Sequence, residues 1–226
     1  MEDIQLTLAM ESEKGSVFEL LKPGFRLVLL IGVSLAVIQQ ISGANTVLIY
    51  ASEIFMKAGF TDEASTLWSL VLIGITSLVF TVLAMAVVDK IGRKPLLLIG
   101  TAGMAISLVV MTLSFQIEIF PQKWIIVPAI VYIAIYSFTL APVVWVVLSE
   151  IFPTDIRGRA MSVATFSLWV ACFAVLQTFP VFLEYFGENT FYGYAAICGF
   201  AFFFVLFIVR ETKGKTLEEI ERSWKR

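Results

Sequence analysis

The chain has 226 residues, of which 59% are hydrophobic, 14% aromatic and only 15% charged, with a formal net charge of −2. An apolar share so far above the roughly 45–50% of a soluble domain excludes an ordinary soluble fold and marks an integral membrane protein in contact with lipid. The small net charge excludes nucleic acid as a partner.

Residues 1–24 carry five acidic residues and two lysines and no apolar core, so they are not a signal peptide. Six apolar runs follow, near 26–50, 66–88, 95–115, 124–148, 160–184 and 189–209. Each is long enough to cross about 30 Å of hydrocarbon as a helix. The spacing predicts an all-α, polytopic membrane protein with six transmembrane helices, whose short connections make neighbours antiparallel. Cys172 and Cys198 lie inside apolar runs, where a thiol behaves as a small buried hydrophobe.

Charge orients the bundle. Lys14, Lys22, Arg26, Lys90, Arg93, Lys94, Arg157, Arg159 and the tail from Arg210 collect on one side, against Lys57 and Lys123 on the other. The positive-inside rule then places both termini in the cytoplasm, and the cell membrane is the expected location.

The first span holds Gln39, Gln40, Ser42 and Asn45, with Gly43 among them and Tyr50 at its outer end. Steps of three residues turn an ideal helix by about 300°, so Gln39, Ser42 and Asn45 form a drifting polar stripe. Buried polar groups need partners or water. Two readings stand: the amides line an aqueous cavity, with Gly43 loosening the helix, or they join helices through hydrogen bonds. Later in the chain, Trp145, Glu150 and Arg157 close a long apolar run. This spacing sets the aromatic at membrane depth and lets the two ions pair at the water boundary. An interfacial anchor is the alternative. Amides beside a tryptophan suit a neutral polyhydroxylated ligand, because hydroxyls both donate and accept and a sugar's C–H face packs on an aromatic ring.

Catalysis has no support in the sequence: there is no histidine, the cysteines are isolated and the carboxylates sit at helix ends. No cofactor or metal is expected. The glycines lack the spacing and the lysine-serine ending of a phosphate loop, so no nucleotide site is expected.

The run Gln39-Gln40-Ile-Ser-Gly43-Ala-Asn45 with Tyr50 and Glu53-Ile-Phe comes first, followed by Asp89-Lys-Ile-Gly-Arg93-Lys. Then come Pro142-Val-Val-Trp145 with Ser149-Glu150-Ile-Phe-Pro153 and Arg157-Gly-Arg-Ala, and finally Glu211-Thr-Lys-Gly-Lys-Thr-Leu-Glu-Glu. In this order the motifs resemble the second half of a sugar porter of the major facilitator superfamily. The resemblance implies that the six spans are one half of that fold, spans seven to twelve of the family. Residues 1–25 would end the cytoplasmic helical linker, 26–209 form the bundle and 210–226 form a cytoplasmic tail.

It further implies that Gln39, Gln40, Asn45 and Trp145 bind the substrate and that Tyr50 belongs to the outer gate. Asp89, Arg93, Glu150, Arg157 and Glu211 would form the inner charge network. Five positions depart from the family pattern. Ile49 stands where the first of an outer tyrosine pair is usual, Ser77 and Cys172 where asparagine is common, Leu168 where an amide usually precedes Trp169, and Arg210 where proline is usual. Each lost amide removes a hydrogen bond worth roughly 0.5–1.5 kcal/mol, which leaves the identity of the sugar or polyol open.

One half supplies a wall, whereas alternating access needs two halves around a midplane site. The expected partner is therefore the missing amino-terminal half or a second copy. The acidic start resembles a severed linker, so a fragment of a longer chain is expected ahead of a half-size oligomer or a remnant. A non-transporting sugar sensor or interaction partner is the alternative function, and the short tail argues against it.

Overall fold

The computed structural model describes residues 20, 25–57, 63–116, 122–154, 156–215 and 219. The expected linker, 1–25, falls outside these residues except at 20 and 25, as does most of the tail beyond 215. The helices are α1 (Arg26–Ile41), α2 (Ala44–Ile49), α3 (Ala51–Lys57), α4 (Glu63–Ile91), α5 (Arg93–Gln116), α6 (Ile126–Phe138), α7 (Leu140–Ile151), α8 (Arg157–Phe186) and α9 (Thr190–Phe207). Among the described residues there is no strand.

The stretches Arg26–Ile49, Thr66–Ile91, Arg93–Gln116, Ile126–Ile151 and Arg157–Phe207 are long and apolar enough to cross a bilayer. The last, 51 residues long, is two spans, because the chain reverses through the 3-10 turn Gly187–Asn189. Thr190 Oγ1 donates back to Phe182 O at 2.9 Å across that reversal. Six spans result, as expected, their ends within a few residues of the predicted ones. The short helix α3 is an addition that the apolar pattern does not announce.

Two of the six spans are interrupted. The first breaks at Ser42–Gly43, between α1 and α2, and the fourth breaks at Thr139 (φ −123°, ψ −87°), between α6 and α7. Irregular backbone at membrane depth is tolerated where protein or a water-filled cavity covers it. Here neighbours cover both breaks, since Ser42 and Thr139 are buried.

Helix α5 packs along α9, α1 along α8, and α4 along α6. The α5–α9 pair is antiparallel, with Gln116 meeting Asn189 and Tyr192 at one end and Lys94 reaching Leu206 at the other. Leu35, Leu96, Met104, Tyr132, Leu148 and Phe179 are among the side chains that fill the core. Helix α4 exposes Leu67, Trp68, Val71, Leu72, Ile75 and Leu78, an apolar face suited to lipid or a second bundle.

Candidate functional site

The break in the first span follows from Gly43, whose φ of +90° belongs to the left-handed region that L residues avoid. A Cβ at Gly43 would also lie 2.9 Å from the ring of Tyr194. At the break, the carbonyl of Ser42 accepts from Tyr132 OH at 2.8 Å and faces Cys198 Sγ at 3.9 Å. The Ser42 hydroxyl turns back to Gln39 O at 2.8 Å. Ser42 therefore leaves the polar stripe expected of an unbroken helix and is buried in the core.

The three amides are brought together at this break in two different states. Gln39 is only 2% exposed, and its Nε2 donates to Leu140 O at 2.9 Å and Ala141 O at 3.1 Å. Its Oε1 is buried without a hydrogen-bond partner among the described residues. Asn45 Nδ2 donates to Gln40 Oε1 at 2.6 Å and lies 3.6 Å from Cys172 Sγ. Gln39 thus follows the helix-joining reading, while Gln40 and Asn45 pair with each other across the break.

Trp145 sits four residues beyond Ala141 on α7, and a step of four keeps both on one helix face. The opposite side of α7, Leu140, Val143, Val144, Val147, Leu148 and Ile151, is buried, whereas Trp145 is 38% exposed. Tyr50 closes α2, donating to Leu176 O at 3.1 Å and packing its ring 5.0 Å from that of Phe179. Ser77 shares a 3.0 Å contact with Ser137, and Leu168 is buried. A cavity of about 250 Å³ lined by Ile54, Phe115, Leu183, Gly187, Glu188 and Phe191 includes none of the amides.

At the other end of the bundle lies a charge cluster. Arg93 meets Glu150 through Nη2 on Oε1 at 2.7 Å and Nε on Oε2 at 3.2 Å, and meets Asp89 Oδ1 at 2.8 Å. Glu211 arrives from the end of the chain and accepts the backbone N–H groups of Arg93 and Lys94, each at 3.0 Å. These donors open α5 and have no partner within the helix, and the carboxylate also complements the helix dipole. Burial pushes the Glu211 carboxyl up, but backbone donors from Lys213, Arg93, Lys94 and Thr212 outweigh it and hold the group below its ordinary value.

One expected pair does not form: Glu150 is joined to Arg93 and not to Arg157. The turn after α7 folds Arg157 back, so that its Nε donates to Phe152 O at 3.2 Å, while Nη2 is buried without a partner among the described residues. Residues that the sequence reading passed over complete the cluster. Thr212 Oγ1 donates to Glu150 Oε2 at 2.5 Å, and Lys213 Nζ donates to Lys90 O. Gly92, at φ +106°, ends α4 with its N–H on Val88 O at 3.1 Å and lets α5 begin at the next residue. Its place directly after the periodic run, as a left-handed helix terminator, was the available signal. Thr212 offered no signal beyond its adjacency to Glu211.

The family model described as "Sugar (and other) transporter" matches residues 1–224. The arabinose-proton symporter of Bacillus subtilis (strain 168) is 38% identical over 225 residues, which are 99% of this chain and 48% of that protein. The D-xylose-proton symporter of Escherichia coli (strain K12) is 37% identical over 231 residues, 96% of this chain and 47% of that protein. A proton:xylose symporter solved with 6-bromo-6-deoxy-D-glucose bound matches with a TM-score of 0.80 at 38% identity, covering 90% of this chain and 45% of that one. The chain spans about half the length of the curated relatives it matches.

Proposed function

The chain belongs to the sugar transporter family, and on that premise we propose that it forms the carboxy-terminal half of a sugar or polyol carrier working by alternating access. The observation that carries this reading is the Asn45–Gln40 pair at 2.6 Å, on the span that Gln39 ties to α7 one turn from the half-exposed Trp145. The pair leaves Gln40 Nε2 to donate and Asn45 Oδ1 to accept, which together match a hydroxyl that does both. The Trp145 ring offers a face to the C–H side of a pyranose. Gln39 has only its buried Oε1 to offer a ligand.

Tyr50 belongs to the outer gate. Asp89, Arg93, Glu150 and Glu211 form an inner latch, beside which Arg157 braces the turn after α7. Both termini are cytoplasmic and the protein resides in the cell membrane. A second six-helix unit, an amino-terminal half or another copy, completes the cavity. The carboxylates of the described spans sit near helix ends, as at Asp89, Glu150 and Glu184, so any proton-coupling carboxylate belongs to that other unit.

The test is equilibrium binding of labelled D-xylose, L-arabinose, D-glucose and xylitol to the chain assembled with the amino-terminal half of the Bacillus relative. Saturable binding that Gln40→Ala weakens supports the reading. No binding of any of these solutes by a folded, assembled protein overturns it.

A further inference from the structure

We propose that Gln39 is a positioning residue, a pin that locks the break in the first span to the break in the fourth so that the sugar wall and the inner latch move as one body. The inference deepens the transport reading above and rests on it for its purpose, though not for its test. Gln39 lies four residues before Gly43, and its two amide donors go to Leu140 O and Ala141 O, directly after the distorted Thr139. A second bond runs the opposite way, from Tyr132 on α6 to the carbonyl of Ser42 at the first break, at 2.8 Å. Each broken span thus holds the other at its irregular point.

Helix α7 is the lever between these pins and the latch. Its 12 residues make a rod of about 18 Å, with Ala141 at its head, Trp145 in the middle and Glu150 at its foot. Helix α5 holds the same rod at both ends. At the foot, Arg93 grips Glu150. At the head, Gly100 leaves no room for a Cβ against Thr139. A rod fixed at two points transmits displacement along its length, and the head reaches the first span through Gln39. A sugar that pulls on Gln40 and Asn45 would thereby bias Glu150 through Gln39, without Gln39 having to donate to the sugar.

The test uses the full chain in nanodiscs, with no sugar present, and follows backbone hydrogen exchange at 42–47 and 140–146. Gln39→Met keeps the side-chain length and removes both donors. Exchange is expected to rise about tenfold or more in both segments at unchanged helix content. Unchanged exchange in Gln39→Met overturns the proposal and leaves Gln39 as a ligand contact or simple filler. Should Gln39→Met not fold, Tyr132→Phe removes the reciprocal bond and keeps the ring. Faster exchange in both segments supports coupling, and faster exchange confined to 42–47, or none, overturns it. Because no sugar enters the experiment, its failure is distinguishable from failure of the transport reading.

Discussion

Arg93 grips Glu150 with two nitrogens, Nη2 on Oε1 at 2.7 Å and Nε on Oε2 at 3.2 Å, and so ties the start of α5 to the end of α7. The same guanidinium meets Asp89, but the side-chain exposures differ: 11% for Arg93, 24% for Glu150 and 78% for Asp89. Water screens the Asp89 pair and screens the Glu150 pair much less. Glu150→Gln should lower stability by about 1.5–3 kcal/mol, the range for a hydrogen bond to a charged group, and Asp89→Asn by less than about 1 kcal/mol. Denaturant titration of the chain in detergent checks this, and equal losses would contradict it.

The Glu211 carboxyl titrates below its ordinary value, so the ionised form is the one the fold favours. The stability it contributes is present above the ordinary glutamate value of about 4.3 and is lost as pH falls through the lowered value. Exchange protection of the Arg93, Lys94, Thr212 and Lys213 amides, corrected for intrinsic rates, should hold near neutral pH and collapse in acid. Protection that grows on acidification would contradict the assignment.

Gly92→Ala should loosen the same junction by two routes. The residue occupies φ +106°, and its Cβ would fall 2.9 Å from Glu211 Oε2. Left-handed backbone costs an L residue about 1–2 kcal/mol, and the carboxylate must move besides. The expected result is faster amide exchange at Arg93 and Lys94, with the Arg26–Ile49 span unaffected.

Gly43→Ala is expected to act at the opposite site. The strain at φ +90° and the collision with the Tyr194 ring should destabilise the chain by about 1–3 kcal/mol, the backbone strain adding to overpacking. Thermal unfolding followed by helix content measures it, and a neutral Gly43→Ala would refute the account of the break.

The six spans were legible because 20 apolar residues in a row have few other uses, and Gly43 marked the first break in advance. The second break carried a signal that the apolar run concealed: Pro142, inside the predicted span, has no N–H for the carbonyl of Phe138 four residues back and its ring crowds that carbonyl, and the chain bends between the two at Thr139. The site was legible as a set of residues and less so as a set of partners. Proximity in sequence suggested Glu150 with Arg157, but the partner that wins comes from 57 residues upstream, placed by the packing of α5 against α7. Gln39 and Gln40 are neighbours of one type in the chain, and only the break that separates their directions assigns one to the main chain of α7 and the other to Asn45.

Sugar binding and sugar uptake, measured side by side, separate the wall of Gln40 and Asn45 from the latch at Glu150. The chain is assembled with an amino-terminal half in proteoliposomes, and labelled sugar is measured for binding and for uptake in Gln40→Ala and Glu150→Ala. Gln40→Ala is expected to lose binding and uptake together, while Glu150→Ala keeps binding and changes the rate of uptake. Equal loss of binding in both, with no separate effect on rate, would contradict this division.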